Sequence, residues 1–186
     1  MKKKIDSEQI IRATVNLSAK QGLLNVSLNE IASELGIKTP SLYNHISGIE
    51  DLYLQVGAYS LKLLKEELIL SMLGLSKYDA LIKVSNTYVN FAIKYPVLYS
   101  AIENPYLKNT PEIAKLKEDI VVIIQSILSA YPLDVKQEIA MIRALRSYLH
   151  GYASLTIGNL FNIDTVDVRE SFDLGLDALL SGLNLK

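Results

Sequence analysis

A short polar segment without acidic residues occupies positions 38 to 45 of the chain. An asparagine amide can pair with both N6 and N7 of adenine, while hydroxyl groups reach bases or phosphates. A lysine contacts phosphate whatever the base sequence, and a tyrosine offers a hydroxyl to phosphate and a ring to a thymine methyl. These residue types suit contact with duplex DNA, and the candidate contacts are Lys38, Thr39, Pro40, Ser41, Tyr43, Asn44 and His45.

Aromatic side chains with polar ends form a second candidate site later in the chain. All eleven tyrosines except Tyr43 lie at or after Tyr53. An apolar pocket edged by phenol hydroxyls suits a partly polar small molecule. The candidate ligand contacts share a helix face or lie within one helical turn of each other: Tyr88, Phe91, Tyr95, Tyr148, His150 and Tyr152. The alternative is that these residues form ordinary helical core.

Catalytic and metal chemistry have little support in the sequence. The chain has no cysteine and two histidines, His45 and His150, and it lacks G-x-S-x-G, phosphate-loop, dinucleotide and H-E-x-x-H motifs. We therefore expect no catalytic site, no metal site and no cofactor, and we interpret His150 as a hydrogen-bonded structural residue. Two other classes remain open, namely an all-helical enzyme that binds a small molecule and a helical interaction module that does not bind DNA.

Short helices must position the polar segment. Apolar residues recur every three or four positions, which predicts an all-helical protein without strands. A first helix is expected to begin at Asp6 or Ser7 and to end at Gly22. A second is expected to begin at Ser27, whose spacing to Glu30 is that of a capping box.

The third helix carries the candidate DNA contacts. Gly36 ends the second helix, and the third is expected to begin with Thr39 as its N-cap and Pro40 as its first residue. Two short helices joined by a turn of about three residues cross steeply, so the second one projects and can enter the major groove. Leu42 and Ile46 are predicted to face inward, which leaves the polar residues outside.

The remainder of the chain is also predicted to be helical. Ser47 and Glu50 have capping-box spacing and open a long helix from Gly48 to about Leu73. Further helices are expected at 77 to 95, 97 to 103, 111 to 130, 135 to 161 and 166 to 183, with a break or bend at Gly151 or Gly158 in the fourth of these.

Composition limits the class of protein. The chain has 186 residues, 49% hydrophobic and 21% charged, with a net charge of −1, which is ordinary for a globular protein. The start MKKKIDSEQ lacks the apolar region of a secretory signal, and no apolar run approaches the roughly 20 residues that a bilayer requires. We expect a cytoplasmic protein without a membrane partner. Lys2, Lys3 and Lys4 suit either an arm along the DNA backbone or a solvated tail.

Several of these motifs together resemble one known family. VSLNEIA at 26 to 32, LGI at 35 to 37, SLYNH at 41 to 45 and EDL at 50 to 52 are similar to the DNA-binding domain of the TetR family. The resemblance implies an all-α, TetR-like fold. It places a three-helix, helix-turn-helix DNA-binding domain at 1–52 and a larger helical ligand-binding and dimerisation domain at 53–186.

The resemblance also implies a mode of action. TetR-type proteins are homodimers that bind double-stranded, pseudo-palindromic operators, and repression relieved by a small-molecule effector is their common mode. They dimerise through their last two long helices. An apolar stripe with two adjacent glycines suits this role, or else simply covers its own domain: Phe172, Leu176, Leu179 and Leu183, with Gly175 and Gly182.

The sequence departs from the family pattern at two positions. Ile46 stands where an aromatic residue is usual, and Ile49 stands where a lysine often contacts phosphate. Later in the chain, His150-Gly151 resembles a motif of one TetR subgroup, although Arg146 replaces the tryptophan that often precedes this histidine by one turn.

Overall fold

The computed structural model describes residues 5–104, 107–163 and 165–181, and over these ranges the chain is helical without β-strands. The predicted all-α class is confirmed. Lys2 to Lys4, Tyr106, Gly182 and Leu183 lie outside the described residues. The α-helices are α1 (Ser7–Gln21), α2 (Leu28–Leu35), α3 (Ile49–Ser71), α4 (Lys77–Lys94), α5 (Pro96–Ile102), α6 (Pro111–Leu128), α7 (Val135–Ile157) and α8 (Val168–Ser181), and the short 3-10 helices are η1 (Leu23–Asn25) and η2 (Thr39–Asn44).

The first two α-helices begin where the capping residues predict. The Gln9 amide donates to Asp6 Oδ1 at 2.8 Å, and the Gln9 side chain accepts from the Asp6 amide at 3.1 Å. The expected capping box at Ser27 and Glu30 also forms. Each box satisfies backbone donors that a helix N-terminus leaves without an intrahelical partner.

Gly36 ends α2 in the left-handed conformation, with φ 68° and ψ 37°. The Ile37 amide donates to the Ala32 carbonyl at 2.9 Å, and the Gly36 amide donates to the Ser33 carbonyl at 3.0 Å. This pair of bonds is a Schellman motif, which turns the chain sharply towards η2.

Two predicted N-caps are wrong. Residues 39 to 44 form a 3-10 helix whose N-cap is Lys38, and the Thr39 hydroxyl donates instead to Asn29 Oδ1 of α2 at 2.8 Å. The predicted partner of Ser47 also differs, because its amide donates to Asp51 Oδ2 at 2.8 Å. The Glu50 carboxylate accepts from Lys108 Nζ at 2.5 Å.

The later helices follow the predicted order. The helices α4, α6 and α7 end earlier than predicted, and α5 begins and ends one residue earlier. Pro96 and Pro111 occupy the first positions of α5 and α6, where the missing amide hydrogen of proline costs no hydrogen bond. Gly151 lies within α7, which continues past it and ends at Ile157, with Gly158 as its C-cap. No described helix is long and apolar enough to span a membrane.

The chain divides into two compact units. The first runs to Lys62 and includes Tyr95–Ala114, and the second consists of Leu63–Lys94 together with the chain from Lys115 onward. This division reflects which residues contact each other. The predicted boundary after residue 52 separates a DNA-binding from a ligand-binding function, and it stays a prediction.

The first unit contains α1, α2 and η2 with the start of α3. α1 packs on α2, η1 and α5, while α2 packs on η2. Its core includes Ile10, Ile31, Leu42 and Leu52, all without solvent exposure.

Leu107 packs against α3 at Gly57, and this contact helps to hold residues 107–113 in the first unit. A methyl group added at Gly57 would approach Leu107 Cδ1 to 2.5 Å, so the glycine provides the space that Leu107 occupies. Two ion pairs, Lys108–Glu50 and Lys62–Glu112, flank this contact.

The second unit is held by contacts of α7 with α4 and α8. Phe91 on α4, Leu145 on α7, and Phe172 and Leu176 on α8 are buried within this unit. Arg169 on α8 donates to the side chains of Asn86 and Asn90 on α4. The two apolar residues of α8 are therefore already covered by their own chain.

Candidate nucleic-acid interface

The inner face of η2 joins it to α2. Leu42 has no exposed surface and Ile46 has 3% exposed, and both are core residues as predicted. On α2, Ile31 and Ala32 are also buried. Ala32 is small enough for a close approach of the two elements, because its side chain extends only to Cβ. Burial of this face orients the remaining side chains of η2 outward or along its edges.

The candidate DNA contacts divide into two groups by exposure. Lys38, Pro40, Tyr43 and Asn44 are exposed, and Tyr43 has 56% of its surface accessible. Thr39, Ser41 and His45 are half-buried. The outward surface thus presents an ammonium group, a phenol and a carboxamide, which are donors and acceptors suited to phosphates and base edges.

Side chains outside the predicted set hold η2 in place. Asn29 Oδ1 accepts from Thr39 at its start, and Gln55 Nε2 of α3 donates to the His45 carbonyl at 3.1 Å at its end. Asp51 accepts from the Ser47 amide just beyond. Sequence reasoning missed Asn29 and Gln55, because pairing across ten positions leaves no periodic signal.

The charge of the Glu30 carboxylate strengthens the N-terminal cap of α2. Hydrogen bonds from the Ser27 hydroxyl and amide, with a further one from Gln21, hold the pKa of Glu30 below its usual value. Gln21 lies at the end of α1, and its Nε2 donates to Glu30 Oε1 at 3.2 Å. The carboxylate therefore stays ionised at the positive end of α2 and links this helix to α1.

Profiles of known protein families match two regions of this chain. The profile of bacterial regulatory proteins of the tetR family matches residues 10–56, which include α1, α2, η2 and the start of α3. The profile of the tetracyclin repressor-like C-terminal domain matches residues 81–179, more than half of the chain.

The chain belongs to the TetR family of transcriptional regulators.

Relatives agree with a TetR regulator over nearly the whole length. An uncharacterised HTH-type transcriptional regulator of Bacillus subtilis, YobS, is 28% identical over 96% of this chain and 93% of its own. Another from Mycobacterium tuberculosis, Rv0681, is 29% identical over 94% of this chain and 81% of its own. The chain is thus a TetR-family HTH-type transcriptional regulator, which binds DNA.

Solved structures share the TetR-like fold at low sequence identity. The regulatory protein SCO4313 superposes with a TM-score of 0.81 at 19% identity, over 94% of this chain and 95% of its own. FadR from Bacillus subtilis, in complex with stearoyl-CoA, has a TM-score of 0.74 at 15% identity, over 94% and 98%.

The candidate ligand residues occupy different surroundings. On α4, Phe91 is buried with 1% exposed and Tyr88 is half-buried. Tyr95 is the N-cap of α5 and belongs to the first compact unit, whereas the other five belong to the second. Their assignment to one ligand site stays a prediction.

On α7, Tyr148 and Tyr152 belong to an aromatic cluster. Their ring centroids are 5.4 Å apart, and both rings contact Phe172 of α8, at 5.5 and 5.1 Å. Tyr152 also contacts Phe161 at 4.8 Å. Helical spacing predicts that the two tyrosines lie together, but it does not predict the contacts with Phe161 and Phe172. The sequence pattern assigns Phe172 only to the apolar stripe of α8, and both phenylalanines follow α7 in the chain and join it only on folding.

The Tyr148 hydroxyl is used within the protein. It donates to the Phe172 carbonyl at 2.7 Å, and burial raises its pKa to about 12. A methyl group at Gly175 would collide with this hydroxyl, so the glycine opens the space for it. His150 is half-buried two positions further along α7 and therefore projects from a different face. The described residues contain no group of three or more His, Cys, Asp and Glu placed to hold a metal.

Proposed function

We propose that this regulator is a ligand-responsive repressor that binds a pseudo-palindromic operator as a homodimer in the cytoplasm. The division of η2 into a buried inner face and an exposed polar outer face carries the proposal. This division lies inside the region that matches the tetR profile. It supports a specific role for each exposed residue.

Tyr43 and Asn44 read bases, and Lys38 contacts phosphate. Asn44 is exposed and its amide can pair with both adenine N6 and N7. Lys38 lies at the N-cap of η2, where its charge reaches the DNA backbone. Pro40 contacts the groove wall, while the half-buried Thr39, Ser41 and His45 contribute at its edges and fix the register of η2.

The dimer interface involves the exposed faces of α7 and α8. Phe172 and Leu176 are covered by their own chain, whereas Leu155 and Leu174 are exposed. Leu174 has 64% of its surface accessible. Exposed apolar side chains on adjacent helices suit a second copy of the same surface, and the two-fold symmetry of such a pair requires two matching half-sites.

A small molecule in the second unit releases the operator. FadR of Bacillus subtilis combines this fold with bound stearoyl-CoA, which supports a ligand site here as well. Phe91 and Tyr152 supply ring surface, Tyr88 supplies a phenol group, and Tyr148 contributes its ring edge because its hydroxyl is engaged. Tyr95 is left out of this site because it belongs to the first unit. His150 offers a further polar contact. The proposal includes no catalytic step and no cofactor.

Selection of genomic fragments by the purified protein tests this function. The expected result is enrichment of fragments that share two inverted half-sites, and the neighbouring genes then suggest which effectors to try. A steep decrease of affinity with salt is expected, because each neutralised phosphate releases counterions. Enrichment no greater than that of a Tyr43→Ala, Asn44→Ala double variant would overturn the proposal.

A further inference from the structure

A cleft of about 480 Å³ lies within the first compact unit. One wall is α3, from Asp51 to Lys62, and the opposite wall is the start of α6 with Thr110 and Ile113. Ile11 of α1 also lines it. The volume is in the range of small-molecule sites. None of the six candidate ligand residues lines this cleft.

Asp51 gives the cleft an acceptor oxygen that no described side chain or backbone amide uses. The Ser47 amide and Gln55 Nε2 both donate to its Oδ2, at 2.8 and 3.4 Å. Within the described part of the chain, no donor reaches Oδ1. This half-buried carboxylate therefore has one oxygen available to a hydrogen-bond donor from a ligand.

The other lining groups favour an apolar cation. Ile11, Ala58 and Ile113 are buried residues that supply apolar surface, and Tyr59 adds a ring face that attracts positive charge. Lys62 is already paired with Glu112 at 2.8 Å. The unbalanced charge of the lining is thus the carboxylate of Asp51.

Two residues of the cleft also hold the end of the DNA-contacting element. Gln55 Nε2 donates to the His45 carbonyl at 3.1 Å, and Asp51 accepts from the Ser47 amide. A cation that binds Oδ1 draws negative charge away from Oδ2 and so weakens the bonds that Oδ2 accepts from the Ser47 amide and from Gln55. Its binding therefore favours one position of residues 45 to 47 over another, which is the requirement for coupling between two sites.

We infer that this cleft is an effector site for a small organic cation with an apolar body, which binds Asp51 and lowers DNA affinity through Gln55 and Ser47. An anion would meet the Asp51 charge, and a neutral apolar molecule would leave Oδ1 without a donor. The effect on DNA rests on the proposed function, whereas the binding itself does not.

Benzamidine is a suitable probe because two analogues of nearly the same shape carry a different charge. Benzamide is the neutral analogue and benzoate the anionic one. Titration of the full-length protein is followed by NMR of labelled alanine and isoleucine methyl groups. Benzamidine is expected to shift the Ala58, Ile11 and Ile113 signals, and the analogues are expected to bind about tenfold more weakly or worse. Equal binding of all three compounds would overturn the assignment.

Two variants test the site itself. Asp51→Asn keeps an acceptor for the Ser47 amide but removes the charge, so benzamidine affinity is expected to fall about tenfold. Ala58→Met fills the cleft and is expected to abolish binding while a thermal melt verifies folding. Glu66→Gln is the matched control, because Glu66 is an exposed carboxylate on the same helix that does not line the cleft. Unchanged affinity in both cleft variants would contradict the site.

The coupling is tested with DNA selected from the genome. Saturating benzamidine is expected to weaken DNA binding about fivefold or more. Gln55→Met is expected to reduce this ratio of DNA affinities with and without benzamidine, once the benzamidine concentration is raised to saturate the variant. DNA binding that is identical with and without bound benzamidine would overturn the coupling. If no DNA is selected, the proposed function fails, and the NMR titration still decides the cleft independently.

Discussion

At the scale of the residue, Lys38 and Asn44 have different expected roles although both are exposed, Lys38 at the N-cap of η2 and Asn44 at its last position. A lysine at a phosphate contributes affinity without sequence preference, whereas an asparagine on a base edge contributes preference. The two roles give different experimental signatures.

Lys38→Ala is expected to weaken binding to operator and random duplexes alike. Removal of one phosphate contact should also lower the slope of log K against log salt by about one unit. Titration at several salt concentrations measures both effects. A loss confined to operator DNA would instead place Lys38 on a base.

The sequence predicted which residues of η2 face inward, because Leu42 and Ile46 follow the helical period. It did not predict that Thr39 and His45 are partly covered. Their environment depends on Asn29 and Gln55, which are ten positions away from them in each case. Such pairing arises only when the elements pack.

At the scale of the element, α7 and α8 are joined by the Tyr148 hydroxyl in the space above Gly175. Tyr148→Phe removes one hydrogen bond and should lower the free energy of unfolding by about 0.5–1.5 kcal/mol. Gly175→Ala introduces a collision with the same hydroxyl and should destabilise more. Because the hydroxyl causes the collision, the double variant should lose less than the two single losses combined. Urea denaturation measures the free energy of unfolding of each variant. If the loss in the double variant equals the sum of the two single losses, the Tyr148 hydroxyl is not the group that collides with a side chain at position 175.

Tyr78 joins α4 to α8, and this bond makes stability depend on pH. Its hydroxyl donates to the Asp177 carboxylate, which raises its pKa to about 12. The folded value exceeds the value of about 10 expected in the unfolded chain, so this stabilisation is complete below pH 10 and is lost as pH rises towards 12. Tyr78→Phe should therefore be less stable than the parent at pH 8, with a difference that shrinks above pH 10. A constant difference in urea midpoints across this range would contradict the assignment.

Capping-box spacing predicts a cap only where no other residue competes for the carboxylate. Ser27 and Glu30 formed the expected box, whereas Glu50 pairs with Lys108, which is 58 positions away. A distant lysine competes for a carboxylate that local spacing assigns to a cap. The sequence cannot reveal that competition without the fold.

At the scale of the whole molecule, helical periodicity predicted the fold class and the order of the helices. It did not predict that Tyr95–Ala114 joins the first compact unit. That association depends on Leu107 filling the space over Gly57 and on the Lys108–Glu50 pair. These contacts link segments about 50 positions apart and have no periodic signature.

The proposed homodimer predicts the effect of a charge on α8. Leu174→Glu should release monomers, because an apolar side chain at the interface would be replaced by a carboxylate that loses its water. Leu70→Glu on α3 is the matched control, since Leu70 has 67% and Leu174 has 64% of its surface exposed. Sedimentation velocity measures the mass of each variant. If both variants remain dimers of the same stability, Leu174 does not lie in the dimer interface.

Titration of the parent protein and Asn44→Ala against the selected operator and a random duplex tests the central claim most directly. The outer face of η2 should give the parent a clear preference for operator. Asn44→Ala should lose about 1–3 kcal/mol of operator binding and relax the base preference at one position of each half-site, with random-duplex binding nearly unchanged. Operator and random-duplex affinities that are the same for parent and variant would contradict the assignment of η2 as the element that reads DNA.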